Sequence, residues 1–322
     1  MDVFKRNSSN KGEKILKINK VTIIGLGAIG GFMASKLSQV LDKTQLRVLA
    51  EGERKARLEK EGILINDKHY TFSVVTPKEQ EPADLILIAT KYNGLDQAIK
   101  DIRGHVGKDT VIMSLLNGVN SEEKLQAVYG EQVLYALMRV SSVRTKEGIY
   151  FDAKSGYIEF GEAINDRLSE RVMAIKTLFE AAGIGVKVPQ DMKKALWYKY
   201  ACNVAENQSS AILGIPFGAW RVSEDANALR EAAMREVFAV AKKKGIELGE
   251  EEILNQRKLL SKVVYENKTS MLQDIENKRP TEVEMFAGEM IRMGKEVGVP
   301  TPINEIFYHA IRVLEEKNKG LI

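Results

Sequence analysis

Lys199, Asn203 and Asn207 stand four residues apart in Trp197-Tyr198-Lys199-Tyr200-Ala201-Cys202-Asn203-Val204-Ala205-Glu206-Asn207, which sets them on one face of a helix with slow angular drift. One cation and two carboxamides in a row can hand a proton to an oxygen and hydrogen-bond a polyfunctional small molecule. Asparagine is a mediocre helix former, so two beside a lysine need a reason. A solvated polar stripe is the plain alternative, against which Leu196, Trp197, Val204, Ile212 and Leu213 imply a mostly buried surround. Downstream, Thr269-Ser270-Met271-Leu272-Gln273-Asp274 precedes Arg279-Pro280-Thr281-Glu282-Val283-Glu284. Thr281 with Glu284 reads as a capping box, and Glu282 then falls in a first helical turn, where the dipole favours a carboxylate anyway. Ser270 and Asp274 have no local pattern that decides their role. Thr90-Lys91-Tyr92-Asn93 and Leu116-Asn117-Gly118-Val119 follow apolar runs. Lys91 suits a phosphate or ribose and Asn117 can bridge two ligands; a solvated lysine and a turn chosen for its backbone are the structural alternatives.

These groups need a frame, and its clearest signal is Val21-Thr22-Ile23-Ile24-Gly25-Leu26-Gly27-Ala28-Ile29-Gly30. An apolar strand runs through a glycine turn into a helix, Ile29 to Val40. Gly25, Gly27 and Gly30 suit a tight turn, close approach to a pyrophosphate and close helix packing, with the phosphates on the helix N-terminus. A second strand, Leu46 to Ala50, ends at Glu51, about 20 residues on, where a ribose-binding carboxylate is expected. The turn Asn66-Asp67 between 62–65 and 70–75 predicts a hairpin. Ala83 to Thr90 reads as a strand covered on both faces, followed by a helix at Leu95 to Ile102 and a strand at Thr110 to Leu115. Alternation of this kind predicts a doubly wound parallel sheet. Segments 132–142, 148–151 and 156–160 read as further strands, with antiparallel closure of the sheet as one arrangement they allow. From Pro189 onward long helical periodicities take over: 192–213, 224–243, 250–264, 281–297 and 303–315. The expected division is a dinucleotide-binding domain at 1–188, with a polar extension at 1–17, and an all-helical substrate and catalytic domain at 189–322.

Composition narrows the class. The chain has 322 residues, 44% hydrophobic and 29% charged, enough for two domains. A net charge of +4 spread along the chain, with no recognised motif, argues against nucleic-acid binding. Lys242-Lys243-Lys244 fits the solvated end of a helix. A single cysteine, Cys202, excludes an internal disulfide and suits a reducing compartment; it reads better as a small buried residue than as a nucleophile. His69, His105 and His309 lack metal-ligand spacing, so no metal is expected. Met1 to Lys17 lacks the apolar core of a signal peptide and no membrane-length apolar run follows, so a cytoplasmic protein without membrane partners is expected.

Taken in order, Gly25-Leu26-Gly27-Ala28-Ile29-Gly30, Lys91, Leu116-Asn117-Gly118, Lys199-x3-Asn203-x3-Asn207, Thr269 to Asp274 and Thr281-Glu282 resemble the ketopantoate reductase (2-dehydropantoate 2-reductase) family over nearly the whole chain. The resemblance implies an α/β Rossmann-like domain joined to an all-α domain of the 6-phosphogluconate dehydrogenase C-terminal kind. It also implies an oxidoreductase that reduces 2-dehydropantoate to (R)-pantoate with NADPH, in pantothenate and coenzyme A biosynthesis. Lys199 would be the proton donor and Glu282 would help bind substrate or cofactor. Asn203, Asn207 and Ser270 would contact substrate, Asn117 would touch both ligands, and the glycine turn, Glu51, Arg54 and Lys91 would meet the cofactor.

Two positions depart from the family. Glu51 stands where many members carry an arginine suited to a 2′-phosphate; a carboxylate there favours a 2′-hydroxyl, so NAD stays open, with Arg54 and Lys55 close enough in sequence to compensate. Phe217-Gly218 occupies the region of a substrate-side asparagine. A reductase of another branched 2-oxo acid, and a non-catalytic dinucleotide-binding sensor, are therefore the alternative readings, in a monomer or homodimer.

Overall fold

A computed structural model describes residues 16–145, 147–152 and 156–322. The polar extension expected at 1–17 lies almost wholly outside them. The N-terminal half runs β1 (Val21–Ile24), α1 (Ala28–Leu37), β2 (Leu46–Leu49), α2 (Gly52–Glu61), β3 (Ile63–Ile65), β4 (Lys68–Tyr70), β5 (Ser73–Val75), β6 (Ala83–Ile88), α3 (Leu95–Asp101) and β7 (Val106–Ser114). It continues through α4 (Ser121–Tyr129), β8 (Val133–Arg139), β9 (Ser142–Arg144), β10 (Ile149–Phe151), β11 (Tyr157–Gly161), α5 (Glu170–Ala181) and β12 (Gly185–Lys187).

Eight strands form one sheet in the order β5-β2-β1-β6-β7-β8-β11-β12. Pairing is parallel from β5 to β8, and β11 joins β8 antiparallel. β6 shows why its sequence is a continuous apolar run. Leu85 and Leu87 face a core shared with Phe32 and Met33 of α1, whereas Ile86 and Ile88 face a second core with Leu95 and Leu125 of α3 and α4. Side chains alternate across a strand, so helices on both faces require every residue to be apolar. This is the Rossmann layout.

Two details of the sheet differ from expectation. The hairpin forms, with Asn66 and Asp67 both left-handed at its turn (φ 45 and 61), but only β4 pairs with β3; residues 73–75 leave to extend the main sheet beside β2. Strands β9 and β10 do not close the main sheet either. They join β3 and β4 in a separate four-stranded sheet ordered β4-β3-β10-β9, and only β11 is the expected antiparallel addition. This small sheet sits on α1 at Gly31, where a Cβ would lie 2.4 Å from Ile149 Cδ1.

The C-terminal half contains α6 (Met192–Leu213), α7 (Glu224–Lys243), α8 (Glu250–Leu260), α9 (Ser270–Glu276), α10 (Glu289–Val297) and α11 (Pro302–Asn318). Local chemistry sets the ends of α6: Asp191 Oδ1 accepts from Lys194 N at 2.8 Å, and Gly214 takes the left-handed C-cap at φ 66. Helix α8 stops at Leu260, short of the periodicity running to 264. Trp197, Tyr200, Val204, Val237, Met285, Phe286, Phe307 and Ile311 share one core, and burial raises the Cys202 thiol far above its ordinary range. Leu213, expected in the apolar surround, is exposed where α6 ends. Among the described residues no helix is long and apolar enough to cross a membrane.

The segment after Pro280 also departs from expectation. No capping box forms, because Thr281 Oγ1 and N both bond Glu315 Oε1 (2.7 and 2.8 Å), while Glu284 Oε1 accepts from Tyr308 at 2.9 Å. Residues Glu284–Gly288 form a π-helical turn before α10 begins. Its wide backbone presents the Met285 and Phe286 carbonyls to the fully buried Tyr200 hydroxyl, 3.1 and 2.9 Å away.

Candidate active site

Strand order reverses at β1, since the chain moves outward through β2 and β5 and then returns to β6 on the other side. Such a switch point opens a crevice beyond the strand carboxyl ends. The glycine turn lies there. Gly25 has φ +97 and lies against the chain leaving β6, where a Cβ would meet Ala89 C at 2.7 Å; at Gly30 a Cβ would lie 1.9 Å from Gly25 O. Gly27 is different, because its Cβ position meets only Ala89 O, at 4.0 Å, leaving that side open. Gly27 is also the N-cap of α1, with no side-chain cap and no acidic residue in the first turn of Ala28, Ile29 and Gly30. A bare positive helix end beside an open glycine fits a pyrophosphate. Glu51 and Arg54 are exposed at the start of α2. Lys55 does not compensate for Glu51, because it pairs with Glu59.

Helix α6 brings Lys199 to the same crevice. Its Nζ donates to Asn117 Oδ1 at 3.2 Å and to the Met138 carbonyl near the end of β8 at 2.7 Å. An ammonium has three protons, so one stays free for a ligand. Asn117 Nδ2 donates to Glu282 Oε2 at 3.3 Å, so the amide spans a cation on one side and a carboxylate on the other. Burial, followed by repulsion from Arg139, brings Lys199 down to about 8 against the pull of Glu159, Glu282 and Glu122. Burial raises Glu282, opposed first by its bond from Asn117 and then by Lys91. Asp274 is likewise raised by burial and restrained by Arg279, 2.9 Å away, and by Lys91. Lys91 is exposed, and its charge reaches both carboxylates.

Further along the same face, Asn207 Nδ2 donates to Asn203 Oδ1 at 3.4 Å, and Asn207 Oδ1 accepts from Ser270 Oγ at 3.0 Å. Ser270 opens α9, whose cap Thr269 accepts from Leu272 N at 3.3 Å. Asn203 is partly exposed, and its Nδ2 has no partner among the described residues. Lys199, Asn117 and Glu282 thus form one group, and Asn203, Asn207 and Ser270 the next. The glycine turn, Glu51 and Arg54 lie farther along the crevice.

Several participants carry no local signal. The Met138 carbonyl has none, being backbone. Glu122, only 1% exposed and raised to about 7 by burial, acts on Lys199 from the start of α4. Tyr92 Oη donates to Glu289 Oε1 at 2.8 Å, and Asn120 Nδ2 donates to the other oxygen, joining the two halves. Tyr92 follows Lys91 in the loop after β6, and Asn120 lies three residues beyond Asn117; these positions are the only signals either residue carries.

Residues 21–165 match the family described as Ketopantoate reductase PanE/ApbA, and residues 191–315 match Ketopantoate reductase PanE/ApbA C terminal. The chain belongs to the ketopantoate reductase family. It is accordingly an oxidoreductase of that family. Among its relatives is a Bacillus subtilis protein named "Uncharacterized oxidoreductase YkpB", 26% identical over 302 residues, covering 92% of this chain and 99% of the other. A 2-dehydropantoate 2-reductase of Mesorhizobium japonicum is 28% identical over 330 residues, covering 92% and 97%. Among solved structures, the ternary structure of D-mandelate dehydrogenase with NADH and anilino(oxo)acetate shares the fold with a TM-score of 0.80 at 22% identity, covering 93% of this chain and 99% of that one.

Proposed function

We propose that this ketopantoate reductase family member reduces 2-dehydropantoate to (R)-pantoate with NADPH, residues 1–188 holding the dinucleotide and residues 189–322 supplying substrate and proton-donating groups. The observation that carries the reading is the Lys199 ammonium, bonded to Asn117 and the Met138 carbonyl with one N–H left over, in the crevice that begins at the glycine turn. The bound dinucleotide would supply hydride to the ketone carbon. Lys199 stabilises the negative charge growing on the ketone oxygen and protonates it. Its depressed pKa makes it a better acid than a free lysine while leaving it charged at neutral pH. Asn117 keeps the ammonium aimed, and Glu282, held by the same amide, orients substrate. Asn203 offers its free Nδ2 to the substrate carboxylate or hydroxyl, and Ser270 Oγ, whose proton goes to Asn207, can accept from a substrate hydroxyl. The bare N-terminus of α1 takes the pyrophosphate.

A reductase of another 2-oxo acid is the second reading. Phe217-Gly218 occupies the region of the family's asparagine, and Phe217 packs edge-on against Trp220 with centroids 5.4 Å apart, so this pair offers no side-chain amide there. The D-mandelate dehydrogenase relationship points the same way. The test follows reduced-cofactor absorbance with NADPH and NADH against 2-dehydropantoate and a panel of 2-oxo acids. Fastest turnover on 2-dehydropantoate with NADPH is expected. A faster 2-oxo acid replaces the substrate, a strong NADH preference replaces the cofactor, and no oxidation with any acid leaves the sensor reading. Lys199→Ala is expected to lose about 10²–10⁴-fold in turnover with cofactor affinity kept; near-normal turnover removes Lys199 from the donor role.

A further inference from the structure

Arginines gather on the outer side of the glycine turn, and among the described residues Arg54, Arg57 and Arg144 form no ion pair with a carboxylate. Arg144, the last residue of β9, donates from Nη1 to the Leu26 carbonyl at 3.1 Å, so its guanidinium lies over the middle of Gly25-Leu26-Gly27. The seating of the small sheet on Gly31 of α1 makes this reach available, and Arg279 Nη1 holds the Arg144 carbonyl from the helical half at 3.5 Å. Arg54 and Arg57, three residues apart and exposed, share a face of α2. Burial and then the charges of Arg57 and Arg54 push Arg144 below the ordinary guanidinium range, and no acidic group among the described residues opposes them. Lys55 is spent on Glu59.

Like charges held together are unfavourable until an anion arrives. The end of β2 and the start of α2 is where the adenosine ribose of a dinucleotide falls in this fold. A phosphate monoester there carries about −1.5 to −2 charge at neutral pH, and guanidinium groups match its oxygens in bidentate fashion. Glu51 on its own would repel it.

We propose that Arg144, reaching in from the second sheet, joins Arg54 and Arg57 in a subsite for the 2′-phosphate of the dinucleotide, supplying the cation that the end of β2 lacks. The proposal rests on the reading that a nicotinamide dinucleotide docks at the glycine turn, and extends it to the residue that selects between the two forms. Arg144 in this role is a specificity residue and takes no part in the chemistry at Lys199.

The test is calorimetric and needs no turnover: the full chain is titrated with adenosine 2′,5′-bisphosphate and with adenosine 5′-monophosphate. The wild type is expected to bind the bisphosphate about 10–100-fold more tightly, the worth of one or two charged hydrogen bonds. Arg144→Gln is expected to reduce bisphosphate affinity about tenfold and leave the monophosphate unchanged. Arg57→Gln, on an exposed helix face with no packing role, is expected to do the same, which covers the case of an Arg144 variant that folds poorly. Equal affinity of the wild type for both nucleotides overturns the proposal. So does equal loss of both nucleotides in Arg144→Gln, which assigns that residue to the shared part of the cofactor. If no 2-oxo acid is reduced, the nucleotide preference still reads out, so failure of the substrate assignment and failure of this subsite are distinguishable.

Discussion

Lys199 is placed where its charge is costly and useful at once. Its pKa near 8 results mainly from burial, with Arg139 adding repulsion. A donor must be charged, so the reductive rate limited by chemistry is expected to be flat below about pH 8 and to fall as pH rises through it. The reverse oxidation, which needs the free amine, should rise over the same interval. Stability follows the linkage: the folded value lies below the ordinary 10.5, so this group's contribution grows as pH climbs from about 8 toward 10.5. Arg139→Gln removes the like charge and is expected to move the kinetic limb upward. A limb that stays put in pH–rate profiles of both proteins would remove Arg139 from the tuning. The four-residue spacing made the Lys199 face legible, because helical periodicity is a local property. The partners that aim Lys199 were less so, since Met138 contributes a backbone oxygen and Glu122 lies in a helix with no strong pattern.

At the scale of elements, the π-turn at Glu284–Gly288 links two parts of the site. Tyr200 stands next to Lys199 on α6 and caps two carbonyls of this turn, while the backbone carbonyl of Glu282, just before it, accepts from Met285 N at 3.0 Å. Tyr200→Phe leaves two buried carbonyls without this donor and is expected to cost about 1–3 kcal/mol in urea unfolding. It is also expected to lower kcat more than Lys199 titration alone would explain, because the turn that follows Glu282 loses its anchor to α6. Unchanged kcat in a destabilised variant would confine Tyr200 to a structural role. The periodicity of 281–297 predicted an ordinary capped helix. Long-range competition changed that: Glu315, 34 residues away in sequence, claims the Thr281 hydroxyl and amide, and Tyr200 stabilises the wider turn.

For the whole molecule, the decisive contacts join the sheet loops to the helical half. Glu289 takes Tyr92 and Asn120 from one half and Arg292, 2.7 Å away, from its own helix. A hydrogen bond to a charged group contributes about 1.5–3 kcal/mol, so Tyr92→Phe is expected to loosen the docking of the two halves. Faster amide hydrogen exchange in 92–95 and 284–292, with exchange in the main sheet unchanged, is the expected signature. Unaltered exchange in both segments would show that the apolar contact between the halves suffices.

The sequence by itself determined the parts whose causes are local. The glycine turn follows from backbone geometry at Gly25 and Gly30, the covered sheet from apolar runs such as Leu85 to Ile88, and the polar stripe on α6 from the spacing of Lys199, Asn203 and Asn207. Tertiary structure decided which distant groups meet. It put Asn117 between Lys199 and Glu282, sent β9 and β10 into a second sheet on α1, and carried Arg144 over Leu26. The physical reason is that a spacing of four or two residues fixes a face, whereas charge pairing, desolvation and sheet partnership depend on what the rest of the chain places opposite it.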